Sequence, residues 1–173
     1  HPLTEAKCEL IRKNIADVRR RYEELRSDIL DDHTLLARFE QCGLVPRAEM
    51  QRIGGVGQAA RASGLKRDIR ATHPSGYFAT EHSHEPIVKH DGDVMSRLSV
   101  RLDEVLQSAD YVLQALAEYK PSGRLSAPDY EAKLQPESLS FSLVEAWRGE
   151  ICHVALTDRE GRIVKYKIKD PSL

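Results

Sequence analysis

Two short charged stretches hold the residue types most able to do chemistry. Arg61-Ala62-Ser63-Gly64-Leu65-Lys66-Arg67-Asp68-Ile69-Arg70 sets four cations around one aspartate. Such a stretch reads as a solvated basic loop, or else as an anion site or an arginine-clamped subunit contact. Glu145-Ala146-Trp147-Arg148-Gly149-Glu150 places an arginine between two carboxylates, beside the single tryptophan. Charges at a strand junction usually pair locally or face solvent. Gly149, however, would let a second backbone or a cofactor approach closely.

Other constellations carry less. His82, His84 and His90 lie near Glu81, Glu85 and Asp91. A His-x-His pair on a strand could hold zinc. With no cysteine nearby, an exposed polar loop is the preferred reading. Gly55-Val56-Gly57-Gln58-Ala59-Ala60 fits G-x-G-x-x-A, but that fingerprint needs a hydrophobic strand before it to aim helix N–H groups at a pyrophosphate. Glu49-Met50-Gln51-Arg52-Ile53 reads as no strand, which favours a tight glycine loop. Cys8, Cys42 and Cys152 form no C-x-x-C pair. Neither a zinc ribbon nor a disulfide framework is supported, and a reduced, cytosolic setting is expected.

The elements that must position these residues follow from hydrophobic periodicity. After a Thr4 N-cap, Cys8, Ile11, Ile15, Val18, Tyr22, Leu25 and Ile29 recur at steps of three and four. This spacing predicts a long helix with one apolar stripe, expected to lie in a helix–helix interface. Asp31-Asp32 opens a shorter helix from His33 to Gln41, ended by Gly43. Asp91 or Asp93 caps a second long helix carrying Val94, Leu98, Leu102, Val105, Ala109, Val112 and Leu116. Alternation across 140–145, 151–157 and 163–169 predicts an antiparallel meander. Helices first and strands last make the fold class α+β. The expected divisions are a helical hairpin over 1–43, a glycine-rich loop region over 44–90, a long helix over 91–119 and strands over 138–170. All belong to a single domain, as the 173-residue length suggests.

Composition narrows the function classes. Lys and Arg number 26 against 27 Asp and Glu, for a formal charge of −1, so no global electrostatic case for nucleic acid exists. No apolar run nears the ~20 residues of a membrane span. Glu5, Lys7 and Glu9 fall where a secretory signal would be apolar. His1-Pro2 without an initiator Met, and a strand ending four residues before Leu173, lead us to expect a portion of a longer subunit.

The charged stretches also carry a resemblance. Gly57 to Arg70 resembles G-x-x-A-R-A-S-G-x-x-x-D-x-R, and Gly92-Asp93 with Arg97, Arg101, Glu104 and Ser108 resembles G-D-x-x-x-R…V-R-x-x-E-x-x-x-S. Pro121-Ser122-Gly123 resembles P-x-G. Glu145 to Glu150, followed by strands and Asp170-Pro171-Ser172, resembles E-A-P-R-G-E…x-P-S. In these places the chain is similar to the large, catalytic subunit of membrane-bound, group 4 nickel–iron hydrogenases of the formate hydrogenlyase type. It is similar there too to the 49 kDa-type subunit of NADH–quinone oxidoreductase (complex I). Trp147 stands where proline is common, which leans toward the hydrogenlyase-type branch.

The resemblance implies an oxidoreductase subunit passing electrons to or from protons or quinone, linked to NAD(P)H or formate oxidation. It implies an iron–sulfur small subunit and further subunits as partners, and a peripheral place on the cytoplasmic face of the inner membrane. By motif position Arg148 is the candidate catalytic residue. Arg61, Asp68, Arg70, Asp93, Arg97 and Glu145 carry over as motif positions without an assigned role. The family holds nickel and iron through two C-x-x-C pairs, and neither pair is in this sequence. No nickel–iron centre is therefore expected in this portion, which is expected to hold no cofactor and to be inactive alone; the resemblance implies a nickel–iron centre or a quinone/NAD(H) linkage for the parent complex. A non-catalytic assembly or scaffold protein of the same fold is the other reading, ahead of a nucleotide-binding module resting on Gly55 to Ala60.

Overall fold

A computed structural model describes residues 3–80, 83–119 and 133–172. Helix α1 (Glu5–Asp31) and helix α2 (His33–Phe39) form the start of the chain. Four short helices follow: α3 (Arg47–Arg52), α4 (Gly57–Ala62), α5 (Ile69–Thr72) and α6 (Tyr77–Thr80). Then come the long α7 (Val94–Glu118) and the strands β1 (Leu139–Ala146), β2 (Gly149–Thr157) and β3 (Ile163–Lys169). The strands pair antiparallel in the order β1-β2-β3, so the fold is α+β. Among the described residues no helix is long and apolar enough to cross a membrane.

Caps set the helix starts. Thr4 Oγ1 accepts the Lys7 N–H, and Asp32 Oδ1 accepts from Thr34 and Leu35. Asp93 caps α7 through Ser96 N–H at 2.7 Å, while its other oxygen takes the Gln41 N–H at 2.9 Å. Burial opposes the Asp93 charge, but these amides hold its carboxyl below the usual carboxylate range. Arg97 reinforces the junction by donating to Gly92 O at 2.9 Å and Gly43 O at 3.0 Å. The motif residues Asp93 and Arg97 therefore tie the end of the first helical pair to the start of α7.

The apolar stripe of α1 is unevenly covered. Cys8, Ile15, Tyr22 and Ile29 are buried or half-buried, whereas Val18 is 53% exposed and Leu25 54%. Ile11, Ile15, Val18 and Tyr22 share a groove with Val105, Leu106 and Ala109 of α7. Only part of the stripe lies in the interface, and Leu25 is outside it. Polar contacts lock the pair: Arg19 meets Asp110, Arg26 meets Asp103 at 2.9 Å, and Tyr22 donates to Leu102 O at 3.1 Å.

The region between Gly54 and Gly64 departs from the expected loop. Residues 57–62 form α4, whose Ala60 and Ala62 are fully buried, and α4 packs on α7 beside the equally buried Val100. A short Ala-rich turn flanked by glycines is too brief to show helical periodicity. Helix α3 precedes the G-x-G-x-x-A segment, so the strand that a dinucleotide fingerprint requires is replaced by a helix.

Candidate functional site

Strands β1 and β2 close a tight hairpin in which Ala146 pairs with Gly149, leaving Trp147 and Arg148 at the tip. Gly149 at φ +137° and Gly57 at φ +66° meet backbone to backbone. A Cβ on Gly57 would sit 2.2 Å from Arg148 O, and one on Gly149 would sit 2.9 Å from Gly57 N. Only glycine permits this approach at both positions. The expectation that Gly149 admits a second backbone is met by the N-terminus of α4.

Behind the hairpin end lies a buried ionic centre. Arg61, 1% exposed, projects from α4 into the space between α5, α7 and β1. Its Nη1 donates to Glu145 Oε1 at 2.9 Å and to Arg67 O at 3.0 Å, and lies 3.2 Å from Asp68 Oδ2. Its Nη2 donates to Glu104 Oε1 at 2.8 Å. Glu145 Oε2 accepts the Ile69 N–H, and Glu104 Oε2 accepts from Gln58 Nε2. One guanidinium thus joins four elements, a use that its fixed fork of donors suits.

Asp68 is the second node. Its carboxylate accepts Arg70 Nε at 2.9 Å, Arg70 Nη2 at 2.6 Å and the Arg70 backbone N–H. His84 Nε2 lies 3.0 Å from Asp68 Oδ2, and His84 Nδ1 lies 2.9 Å from the Tyr111 hydroxyl on α7. Burial opposes the Asp68 charge, but His84, Arg70 and Arg61 together hold the carboxyl far below the usual range. Burial likewise opposes the Arg70 charge, and Asp68 restores it. Among the cavities that flank Glu145, one of about 340 Å³ reaches Asp68, His73 and Glu150, and one of about 370 Å³ reaches Gln58, Glu104 and Trp147.

The candidate residues therefore fall into three places. Arg61, Asp68, Arg70 and Glu145 meet in one network, and the solvated-loop reading of 61–70 does not hold for them. Asp93 and Arg97 serve the α7 junction instead. Arg148 stands exposed at the tip, donating to Ser172 Oγ at 3.2 Å. His84 is a correction to the exposed-loop reading, for its side chain is wholly buried. His90 is exposed, while His82 and Pro121-Ser122-Gly123 lie outside the described residues. Glu104 was legible as a motif residue on the long helix. Gln58 and Tyr111 carried no signal of a polar partnership.

The family described as respiratory-chain NADH dehydrogenase, 49 Kd subunit, matches residues 1–140. The chain belongs to this family. It is 28% identical over 163 residues to an NADH-quinone oxidoreductase subunit of Desulfotalea psychrophila, covering 93% of this chain and 43% of that protein. It is 29% identical over 177 residues to the membrane-bound hydrogenase subunit alpha of Pyrococcus furiosus, covering 91% and 41%. In fold it is similar to a chain of the membrane-bound sulfane sulfur reductase, an archaeal respiratory membrane complex, with a TM-score of 0.86 at 22% identity, covering 97% of this chain and 46% of that one. The chain thus spans less than half the length of these relatives.

Cys8 lies in α1, Cys42 beyond α2 and Cys152 in β2, and all three are free thiols. Among the described residues no group of three or more His, Cys, Asp or Glu side chains converges as a metal site. The donor set of this chain does not fit a thiolate-held nickel–iron centre.

Proposed function

We propose that the chain is a portion of the large subunit of a membrane-associated oxidoreductase complex, whose Trp147-Arg148 tip faces a redox centre completed by the rest of the subunit. The supporting observation is the way the tip is held. Gly57 and Gly149 leave no space between α4 and the hairpin, and Glu145 is fixed by Arg61 and the Ile69 N–H. An arginine on such a mount keeps its charge and direction when a partner arrives, and such preorganisation is what electrostatic stabilisation of a reacting species needs. A guanidinium is charged at any pH a folded protein meets, and its planar fork offers donors in fixed directions.

In this reading the parent subunit passes electrons to or from protons or quinone, drawing on NAD(P)H or formate. A nickel–iron centre or a quinone is supplied outside this chain. Its partners include an iron–sulfur small subunit, and the assembly sits on the cytoplasmic face of the membrane. This portion alone does not turn over.

The test is Arg148→Lys in the assembled, full-length enzyme. The account expects normal assembly and a turnover lower by about 10²–10³. Near-normal turnover in a properly assembled variant overturns the assignment and returns Arg148 to its hydrogen bond with Ser172, as a scaffold role would have it.

A further inference from the structure

Strand β3 is an edge of the sheet, paired with β2 on one side only. Its residues are exposed along the whole strand, so neither of its faces is covered. The two faces differ in kind. Lys165, Lys167 and Lys169 stand opposite Leu156, Val154 and Cys152 and share one face. Tyr166 and Ile168 stand opposite Ala155 and His153 and share the other. Among the described residues no carboxylate pairs with any of the three lysines.

Lysines on an edge strand commonly guard it against pairing with a second edge. That role does not account for the opposite face, where Tyr166 is 52% exposed and Ile168 54%. A strand built only to repel neighbours is served best by polar residues on both faces.

We propose that β3 is a docking edge for a partner polypeptide, which adds as a fourth strand and alternates acidic with apolar residues. The inference rests on this edge alone and stands whether or not Arg148 serves a redox centre.

Main-chain hydrogen bonds along the edge supply affinity, and the alternation of side chains selects the occupant. Successive residues of the added strand point to opposite faces. On the lysine face the incoming side chains lie one strand away from three unpaired cations. Opposite charges attract at that spacing and like charges repel, so carboxylates are favoured there. On the other face, apolar side chains are favoured because they remove Tyr166 and Ile168 from water.

The same pattern disfavours other occupants. A second copy whose β3 paired row to row would set lysines against lysines. A flat anionic membrane would meet one face of β3 and leave the other in water. The opposite edge, β1, carries no cationic row, and α5 packs against it, with the Ile69 N–H bonded to Glu145.

The experiment is an NMR titration of the nitrogen-15-labelled 173-residue chain with the synthetic peptide Glu-Val-Glu-Val-Glu-Val-Glu, which matches β3 in length. The expected result is saturable shifts centred on the β3 amides, with slowed hydrogen exchange there and no change of oligomeric state. A peptide of the same composition, with its glutamates in one block and its valines in another, should bind about tenfold or more weakly, because it cannot place charge and apolar surface on opposite faces. Combining Lys165→Glu with Lys167→Glu, both at exposed positions, should reverse the preference. The double variant then favours the peptide with lysine in place of glutamate by about tenfold or more. No saturable binding, equal binding of the two glutamate peptides, shifts centred on β1, or an unreversed preference in the double variant overturns the proposal. Dimerisation through β3, or attachment to phosphatidylglycerol vesicles without peptide binding, overturns it as well.

Discussion

The Arg61 centre and the α1–α7 pair solve the same problem of joining distant segments, and they do so with opposite means. At the centre, residues far apart in sequence are held by ionic contacts that are almost wholly buried. Between the long helices the ionic contacts lie toward the surface, and the apolar stripe is only half covered. Burial decides what each contact is worth. Exposed pairs contribute little, while removing one member of a buried set strands the others without compensation. The chain is therefore specified tightly around α4 and loosely along α1.

The largest effect expected on either side is that of Arg61→Met. It removes the shared cation and leaves Glu104 and Glu145 buried without their principal partner. Chemical denaturation should show a loss of about 3–5 kcal/mol. A loss comparable to that of a surface variant would erase the contrast between the two regions.

A smaller effect is read from pH. The Asp68 carboxyl is depressed in the folded chain, so its contribution is complete above the unfolded value of about 3.9 and is lost as pH falls below it. Denaturation at pH 7 and near pH 3 should show the wild-type chain losing about 1 kcal/mol more on acidification than Asp68→Asn. Equal acid sensitivity would mean that Asp68 gains nothing from its two arginines.

The smallest effect belongs to α1. Leu25, at 54% exposure, should tolerate alanine at a cost below about 1 kcal/mol. Ile15, half-buried against α7, should cost more on the same substitution. A melting temperature that falls further for Leu25→Ala would show that Leu25 is packed as closely as Ile15.

These contrasts also mark what the sequence could reveal. Long-range periodicity is a local signal, and it revealed the two long helices and the strand alternation that make the fold α+β. The stripe on α1 was visible too, but α7 covers its positions unequally, and no residue of α1 records which of them, such as Leu25, stay exposed. The charged motifs were visible as motifs. Their union was not, because Arg61 and Glu145 stand 84 positions apart and only the folded chain brings them within 2.9 Å. Helix α4 was hidden by the glycines that allow its close packing. His84 was hidden because nothing in a stretch without periodicity separates a buried imidazole from an exposed one.

The central claim is that the Arg61 centre holds the hairpin end that carries Arg148, and hydrogen exchange on Glu145→Gln tests it most directly. The amide keeps the size of the side chain but replaces the second carboxylate oxygen with a donor, which cannot accept the Ile69 N–H while its carbonyl faces Arg61. The account predicts that protection of the amides at the 145–150 hairpin end falls about tenfold or more while the amides of α1 are unchanged. Unaltered protection at the hairpin end, or an equal loss throughout the chain, would contradict it.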